Sequence, residues 1–97
     1  MYEEELKDLG LTDNEVRIYL LLLKNGMMNP YEIAEKLGLH RGYIYDALER
    51  MQEKGAINTV KEDNKKKYQA TSPKNLVEIL KFKLENLQGV VPELVKM

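Results

Sequence analysis

The chain has 97 residues, of which 43% are hydrophobic and 32% charged, the length and balance of one globular domain. The absence of cysteine excludes disulfide scaffolds and thiolate zinc sites, and a single histidine and serine remove most nucleophile and metal-ligand arrangements. No apolar run approaches the roughly 20 residues needed to span a bilayer, and the acidic N-terminus is unlike a secretory signal. We therefore expect a soluble cytoplasmic protein that is not an enzyme, with no catalytic residue, metal, cofactor or membrane contact.

Charge is unevenly distributed along the chain. Basic and acidic side chains number three and eight in residues 1–35, eleven and six in residues 36–83, and one and two in residues 84–97. The three segments therefore carry charges of −5, +5 and −1. A basic middle segment favours a polyanion as partner, because local fields rather than total charge govern association. Chance clustering in a chain rich in lysine and glutamate is the alternative explanation.

Capping signals predict the first helices. Before them, a short amphipathic turn is expected from Leu6, Leu9 and Leu11. Thr12 and Glu15 have the spacing of a capping box, and apolar positions at helical spacing follow. A helix is therefore predicted over about 13–25, with Gly26 as its C-terminal cap.

A helix-turn-helix is predicted next. Asn29 is a cap for a two-turn helix that runs from Pro30 to about Leu37, and a longer helix follows over about 41–54. The small residue Ala34, the turn residue Gly38 and the core residue Ile44 have the spacing that this motif requires. The remaining buried positions are expected at Ile33, Leu37, Leu39, Ala47, Leu48 and Met51.

A hairpin and a final helix complete the predicted order. Residues 56–60 and 68–71 are predicted as strands, with the polar residues 62–67 at the tip. A helix then begins at Pro73 and ends near Gln88, and a second short helix begins at Pro92. The predicted fold is mainly α with a β-hairpin wing. It is a winged helix-turn-helix over residues 1–72, and residues 73–97 form a C-terminal dimerisation helix packed on the same domain. An αα-hairpin without a ligand is the alternative.

Several of these segments also resemble a known family. They are Leu9-Gly10-Leu11-Thr12, Tyr19 to Leu23, Glu32-Ile33-Ala34, Arg41, Ile44-Tyr45-Asp46, Leu48 and Glu53-Lys54-Gly55. Together they resemble the N-terminal winged-helix domain of TrmB-type archaeal transcription regulators over roughly residues 5–90. The resemblance implies a DNA-binding domain that dimerises, with the helix at 41–54 in the major groove.

This sequence differs from the family pattern in one respect. TrmB-type regulators commonly continue into a sugar-binding effector domain, whereas this sequence stops at Met97. Sugar sensing is therefore not carried over, and no small-molecule effector is identified. We expect either a minimal regulator that responds to concentration or a partner, or a fragment of a longer protein.

The outer face of the helix at 41–54, which we call the recognition helix, is predicted to contact DNA. Arg41 is expected to read a guanine or clamp a phosphate, and Tyr43 to stack on sugar or donate to phosphate. Asp46 is expected to orient Arg50 through an i,i+4 pair, or else to accept from a cytosine amine. Tyr45 is expected to pack mainly against the core. The predicted DNA-binding residues are His40, Arg41, Gly42, Tyr43, Asp46, Arg50, Lys65, Lys66 and Lys67.

Five of these residues have alternative or distinct roles. His40 is expected either to donate to a phosphate or to cap the recognition helix. Gly42 would let the backbone approach DNA closely. The run from Lys65 to Lys67 is placed at the hairpin tip, where it would contact phosphates and give affinity without sequence information.

The last helix carries an apolar heptad seam. Its members, spaced 3, 4, 3, 4 and 3 residues apart, are Val77, Leu80, Leu84, Leu87, Val91 and Leu94. We expect a second copy to cover this seam, which implies a homodimer on a palindromic site with half-sites about 10 base pairs apart. Packing of the seam on its own domain is the alternative.

The sequence therefore predicts a dimeric, sequence-specific regulator that binds double-stranded DNA. One alternative is a weakly specific DNA-coating protein that depends on the wing lysines more than on Arg41. The other is a winged helix that binds protein.

Overall fold

The computed structural model describes residues 2–97, which form five helices and one two-stranded hairpin. In chain order the elements are α1 (Glu3–Asp8), α2 (Asp13–Asn25), α3 (Pro30–Leu37), α4 (Arg41–Glu53), β1 (Ile57–Glu62), β2 (Lys65–Ala70) and α5 (Pro73–Val95). Helices α3 and α4 form the helix-turn-helix, and β1 and β2 form the wing. The predicted mainly α fold, a winged helix-turn-helix with a β-hairpin wing and a C-terminal helix, is confirmed.

Capping boxes begin α2 and α3, as predicted. The Thr12 hydroxyl accepts a hydrogen bond from the Glu15 N–H at 3.2 Å, and a Glu15 carboxylate oxygen accepts one from the Thr12 N–H at 3.0 Å. Asn29 and Glu32 form the same reciprocal pair at 2.8 and 3.0 Å. Each pair satisfies two backbone N–H groups that the first helical turn leaves without an intrahelical acceptor.

Gly38 makes the turn between α3 and α4. Its backbone is left-handed, with φ 67° and ψ 33°, a conformation that costs other residues free energy because of their Cβ atom. The chain then turns back, and the Leu39 N–H donates to the Ala34 carbonyl at 3.0 Å. Helix α4 therefore begins at Arg41 and packs across α3.

One buried cluster joins α2, α3, α4 and the wing. Its fully enclosed members include Ile18, Tyr19, Leu22, Ile33, Ile44, Ala47, Leu48 and Met51, whereas the predicted core residues Leu37 and Leu39 are only partly buried. The Tyr19 hydroxyl also donates to the Thr71 carbonyl at 2.8 Å. Helix α2 is thereby tied to the end of the wing.

The wing has longer strands and a tighter turn than predicted. Register runs from Ile57 opposite Ala70 to Glu62 opposite Lys65, so only Asp63 and Asn64 form the turn. Both turn residues have positive φ, 51° and 63°, the backbone that a two-residue hairpin turn requires and that Asp and Asn tolerate. The prediction of residues 62–67 as the tip was therefore wrong, and the three lysines lie in β2.

A short backbone pairing attaches the wing to the start of α3. The Met28 N–H donates to the Tyr68 carbonyl at 3.0 Å, and the Tyr68 N–H donates to the Met28 carbonyl at 2.8 Å. Met28 thus extends the β1–β2 sheet by one residue on the free edge of β2. This pairing fixes the N-terminus of α3 beside the lysines of β2.

Helix α5 is continuous from Pro73 to Val95, with Pro92 inside it. The predicted end near Gln88 and restart at Pro92 are therefore wrong. Proline removes one intrahelical hydrogen bond, here to the Gln88 carbonyl. Because Gln88 is exposed, water can hydrate that carbonyl. Helix α5 thus spans 23 residues, about 35 Å at 1.5 Å per residue.

Most of α5 extends away from the rest of the fold. Leu76 is buried, whereas residues 81–97 are all exposed. Among residues 2–97, no helix combines the length and the apolar character needed to cross a bilayer. The apolar side chains of α5 beyond Leu80 are therefore left uncovered in the single chain.

Candidate nucleic-acid interface

The recognition helix α4 separates into a buried face and an exposed face. Ile44, Ala47, Leu48 and Met51 are buried, as predicted. The exposed positions include Arg41, Gly42, Tyr45, Asp46 and Glu49. The N-terminal half of this face therefore presents one cation and one aromatic ring, together with the Asp46 carboxylate.

His40 caps the recognition helix. Its side-chain Nδ1 accepts a hydrogen bond from the Gly42 N–H at 3.1 Å, so the capping role predicted as one of its two alternatives is confirmed. A Cβ atom on Gly42 would lie only 3.2 Å from that Nδ1. Glycine at position 42 therefore leaves room for the histidine cap, a reason that the sequence alone did not supply.

Arg41 lies over the ring of Tyr31. The guanidinium carbon is 5.7 Å from the ring centroid, within the range of a cation–π contact. Tyr31 belongs to the first turn of α3, so the contact crosses between the two helices. It restricts the Arg41 side chain while leaving it exposed at the start of α4.

Tyr43 and Tyr45 differ from their expected placements. Tyr43 is half-buried against the core, and the Arg50 guanidinium lies 5.9 Å from its ring centroid. Tyr45 is 50% exposed, although it was expected to pack mainly against the core. Of the two rings, Tyr45 is the more accessible to a ligand.

Arg50 pairs with Glu15, not with Asp46. Arg50 Nε donates to Glu15 Oε2 at 2.9 Å, and Lys54 Nζ donates to Glu15 Oε1 at 2.8 Å. The predicted i,i+4 pair with Asp46 was therefore wrong, because the guanidinium of Arg50 is hydrogen-bonded to a carboxylate from α2 instead. Arg50 anchors the second half of the recognition helix to the body of the domain.

Glu15 is a buried carboxylate at the centre of this network, with a side chain that is 0% exposed. Burial alone would raise its pKa, but hydrogen bonds from Lys54, the Thr12 N–H and Arg50 bring the Glu15 pKa below its ordinary value. Lys54 Nζ also donates to the Gly10 carbonyl at 2.6 Å. The capping motif had identified Glu15 only as a helix start, and its long-range partners have no local sequence signal.

The C-terminus of the recognition helix also contacts α5. Lys83 Nζ donates to the Lys54 carbonyl at 3.2 Å. A cation at this position is favourable because the last helical carbonyls carry partial negative charge. The long helix α5 and the recognition helix are thereby joined directly.

The wing lysines are not equivalent. Lys65 and Lys66 are exposed, whereas Lys67 is partly buried and lies 3.8 Å from the Glu62 carboxylate. Lys66 also faces Lys61 across the strands, which places two cations side by side on the wing. Such a pair is unfavourable in the free protein, and a bound anion would relieve it.

A cleft separates the start of α3 from the wing. Its volume is about 310 Å³, and its lining residues are Asn29, Pro30, Tyr31, Tyr45, Lys65, Lys66, Lys67 and Tyr68. We call it the tyrosine–lysine cleft. Tyr68 is nearly buried, and its pKa is raised by burial and by the neighbouring Tyr45. The cleft therefore combines three phenol rings with three ammonium groups, and the sequence analysis had identified only the lysines as ligand contacts.

The predicted heptad seam is largely exposed in the single chain. Leu80 is partly buried, whereas Val77, Leu84, Leu87, Val91 and Leu94 are each at least 42% exposed. Near Val77 and Leu80 the seam joins an apolar groove of about 720 Å³ between α1, α2 and the start of α5. The groove is lined mainly by Leu6, Leu9, Leu20, Leu23 and Leu76 together with those two seam residues. A continuous apolar surface thus extends from the groove along α5.

A helix-turn-helix with an exposed recognition helix and a hairpin wing defines a winged-helix protein, the fold of many transcription regulators. The family of sugar-specific transcriptional regulators TrmB matches residues 6–74. The chain belongs to that family of regulators, which confirms the resemblance stated from its motifs.

A relative from Bacillus subtilis (strain 168), the uncharacterised protein YrhO, is 32% identical over 80 residues. The match covers 82% of this chain but 29% of YrhO, so the chain spans less than a third of that relative.

Solved structures share the fold. The ST1889 protein of the archaeon Sulfolobus tokodaii is 23% identical, with a TM-score of 0.65 and full coverage of both chains. The transcriptional regulator HlyU of Vibrio vulnificus CMCP6 is 22% identical, with a TM-score of 0.63 over 84% of this chain and 82% of HlyU. At these identities the likeness supports the winged-helix fold alone.

Proposed function

We propose that this protein is a dimeric, sequence-specific regulator that binds double-stranded DNA through α4 and the wing. The observation that carries the proposal is the position of its cations. Arg41 is exposed at the start of the recognition helix, and the wing lysines line a cleft that also includes Tyr45 of the same helix. A duplex whose major groove receives α4 would thus meet the wing lysines on its backbone.

Arg41 is the proposed base-reading residue. Its guanidinium can donate two hydrogen bonds to guanine O6 and N7, and the Tyr31 ring restricts the side chain before DNA binds. Asp46, which does not orient Arg50, is left as an acceptor for a cytosine amine. Tyr43 and Arg50 support the helix more than they contact DNA, since Arg50 is engaged with Glu15.

The wing lysines supply affinity that does not depend on sequence. Lys65 and Lys66 are exposed and available to phosphates, and Lys67 can exchange its long contact with Glu62 for one. Release of condensed counterions from DNA makes such contacts sensitive to salt.

A second copy is the proposed occupant of the heptad seam. The seam is continuous with the apolar groove at Val77 and Leu80, and five of its six members are at least 42% exposed in the single chain. A contiguous exposed apolar surface of this kind is typical of an interaction site. Two copies related by a twofold axis would present two recognition helices to a palindromic site with half-sites about 10 base pairs apart.

The test is fluorescence anisotropy of a labelled mixed-sequence duplex, titrated at several salt concentrations with protein of measured oligomeric state. With Arg41 and three lysines per protomer, a dimer offers about eight contacts. The slope of log K against log salt should be about −7 if all eight are to phosphate, and about −5 if Arg41 contacts only bases. Selection from a random duplex pool then tests sequence preference. Absence of binding at low salt would reject DNA as the partner and favour a winged helix that binds protein. Steep salt dependence with no sequence selected would favour the DNA-coating alternative.

A further inference from the structure

The tyrosine–lysine cleft has a geometry that the lysines alone do not explain. The backbone pairing of Met28 with Tyr68 holds the start of α3 against β2, and Tyr31 follows Met28 by three residues. Tyr45 approaches from α4 on the other side. Three separate elements thus converge on one opening, and the pairing fixes two of them relative to each other.

Two tyrosine hydroxyls are available at this opening. Tyr31 is 57% exposed and Tyr45 is 50% exposed, and within residues 2–97 neither hydroxyl has a hydrogen-bond partner. Tyr68 forms the floor, where it is nearly buried. Neutral O–H donors beside ammonium groups suit the two non-bridging oxygens of a phosphodiester, which accept hydrogen bonds from both kinds of donor.

The position of the cleft points to DNA as the source of that phosphodiester. The cleft lies between the recognition helix and the wing, and the Tyr31 ring also contacts Arg41. Because Arg41 contacts Tyr31 at one side of the cleft and the wing lysines line the other side, a strand that contacts both passes this opening. This step rests on the proposed function.

We propose that Tyr31 and Tyr45 bind one phosphodiester of the DNA strand at the tyrosine–lysine cleft through their hydroxyls. Each hydroxyl donates a hydrogen bond to a phosphate oxygen and adds affinity without base preference. Tyr31 has a second role, because its ring positions Arg41. The two tyrosines therefore set the register of the strand relative to the recognition helix.

A neutral donor and a cation leave different signatures in salt dependence. Loss of a lysine contact reduces the number of released counterions and makes the slope of log K against log salt shallower. A phenol hydroxyl releases no counterion, so its loss lowers the affinity and leaves the slope unchanged. This contrast separates the tyrosines from the wing lysines in one experiment.

The variants are Tyr31→Phe, Tyr45→Phe and their combination, with Tyr2→Phe as the matched control. Tyr2 is 59% exposed and lies at the apolar groove between α1, α2 and α5, not at the tyrosine–lysine cleft. Each substitution removes only a hydroxyl, and equal thermal melts would show that folding is unaffected. The probe is a labelled mixed-sequence duplex of about 24 base pairs, titrated over the same salt series as the wild type.

We expect each cleft variant to bind roughly five- to tenfold more weakly with an unchanged slope, and Tyr2→Phe to bind as the wild type does. If both cleft variants bound the duplex as tightly as the wild type does, this inference would be overturned and the proposed function would stand. Failure of the wild type to bind any duplex would instead overturn the proposed function.

A free anion is the other source of the same chemistry. Inorganic phosphate is therefore titrated at constant ionic strength, with tyrosine side-chain NMR signals as the readout. Millimolar binding lost in Tyr31→Phe, together with unchanged duplex affinity, would overturn the DNA assignment. Single methylphosphonate substitutions in the duplex then locate the contact, because one neutralised phosphate should remove the difference between wild type and the double variant.

Discussion

Arg50 Nε lies 2.9 Å from Glu15 Oε2, so a buried carboxylate at the start of α2 holds the second half of the recognition helix. Lys54 contacts the other oxygen of the same carboxylate at 2.8 Å. The orientation of the surface proposed to read DNA therefore depends on a residue 35 positions away in sequence from Arg50.

Glu15→Gln should lower the free energy of unfolding by about 2 kcal/mol at neutral pH, because two charge-assisted hydrogen bonds lose their anionic acceptor. Urea denaturation monitored by circular dichroism measures this loss. Asp46→Asn is the control, and it should change the stability by less than about 0.5 kcal/mol because Asp46 is exposed and Arg50 is already paired. Equal losses in both variants would contradict the central role of Glu15.

The same carboxylate predicts a pH dependence. The pKa of Glu15 is lower in the folded protein than its ordinary value of about 4.5. Its contribution to stability is therefore complete above that ordinary value and is lost as the pH falls through the folded pKa. The stability difference between wild type and Glu15→Gln should shrink when urea titrations are repeated from pH 7 towards pH 3. A constant difference over this range would show that ionisation of Glu15 is not involved.

Gly38→Ala and Gly89→Ala should change stability in opposite directions. Neither added Cβ would meet another atom within 4 Å, so only the backbone conformation differs. Gly38 has a φ of 67°, which strains alanine and should cost about 1 kcal/mol, whereas Gly89 lies within α5, where alanine is favoured by a similar amount. Thermal melts of the two variants give the comparison, and destabilisation by Gly89→Ala would argue against a continuous α5.

Arg41→Ala and the triple change of Lys65, Lys66 and Lys67 to Ala should affect DNA binding in different ways. Loss of Arg41 should reduce discrimination at one base pair by about 1–3 kcal/mol, because the bidentate donor to guanine is removed. Loss of the lysines should weaken binding to all duplexes alike and make the salt slope shallower by up to about five for a dimer. Anisotropy with selected and scrambled duplexes separates the two effects, with Lys96→Gln at the far end of α5 as the control. Unchanged affinity of the triple variant at low salt would reject the wing contacts.

Leu84→Glu should convert the proposed dimer into a monomer, because a charge would enter the centre of the heptad seam. Phe82→Glu is the matched control, since Phe82 is also exposed but lies on the opposite face of α5. Light scattering after size-exclusion chromatography gives the mass of each variant. A wild-type monomer at high micromolar concentration would reject the seam as a dimer interface.

The parts of the fold that the sequence predicted are those with local signals. Thr12 and Asn29 cap their helices through hydrogen bonds to residues three positions later in the sequence. Gly38 makes its turn through its own left-handed backbone conformation. The strand ends were misplaced because the pair Asp63 and Asn64 forms a complete turn, which composition alone did not distinguish from a longer tip.

The site was predicted less completely, because many of its contacts join segments that are far apart in the sequence and leave no local signal. A rule for neighbouring helical residues assigned Arg50 to Asp46, whereas its partner Glu15 comes from another helix. The exposure of Tyr45 and the position of Tyr31 at the same cleft depend on how α3, α4 and the wing pack together. Such contacts between distant segments have no periodic pattern in one sequence.

The hydrogen bond from Lys83 to the last turn of the recognition helix has a consequence for how the protein could be controlled. In the proposed dimer, the crossing angle of the two α5 helices fixes the separation of the two reading heads. Because α5 is long and rigid, a change in the crossing angle would move the two recognition helices. Their separation would then no longer match one turn of the double helix. Release from DNA would require no ligand near Arg41, only a change at the far end of α5.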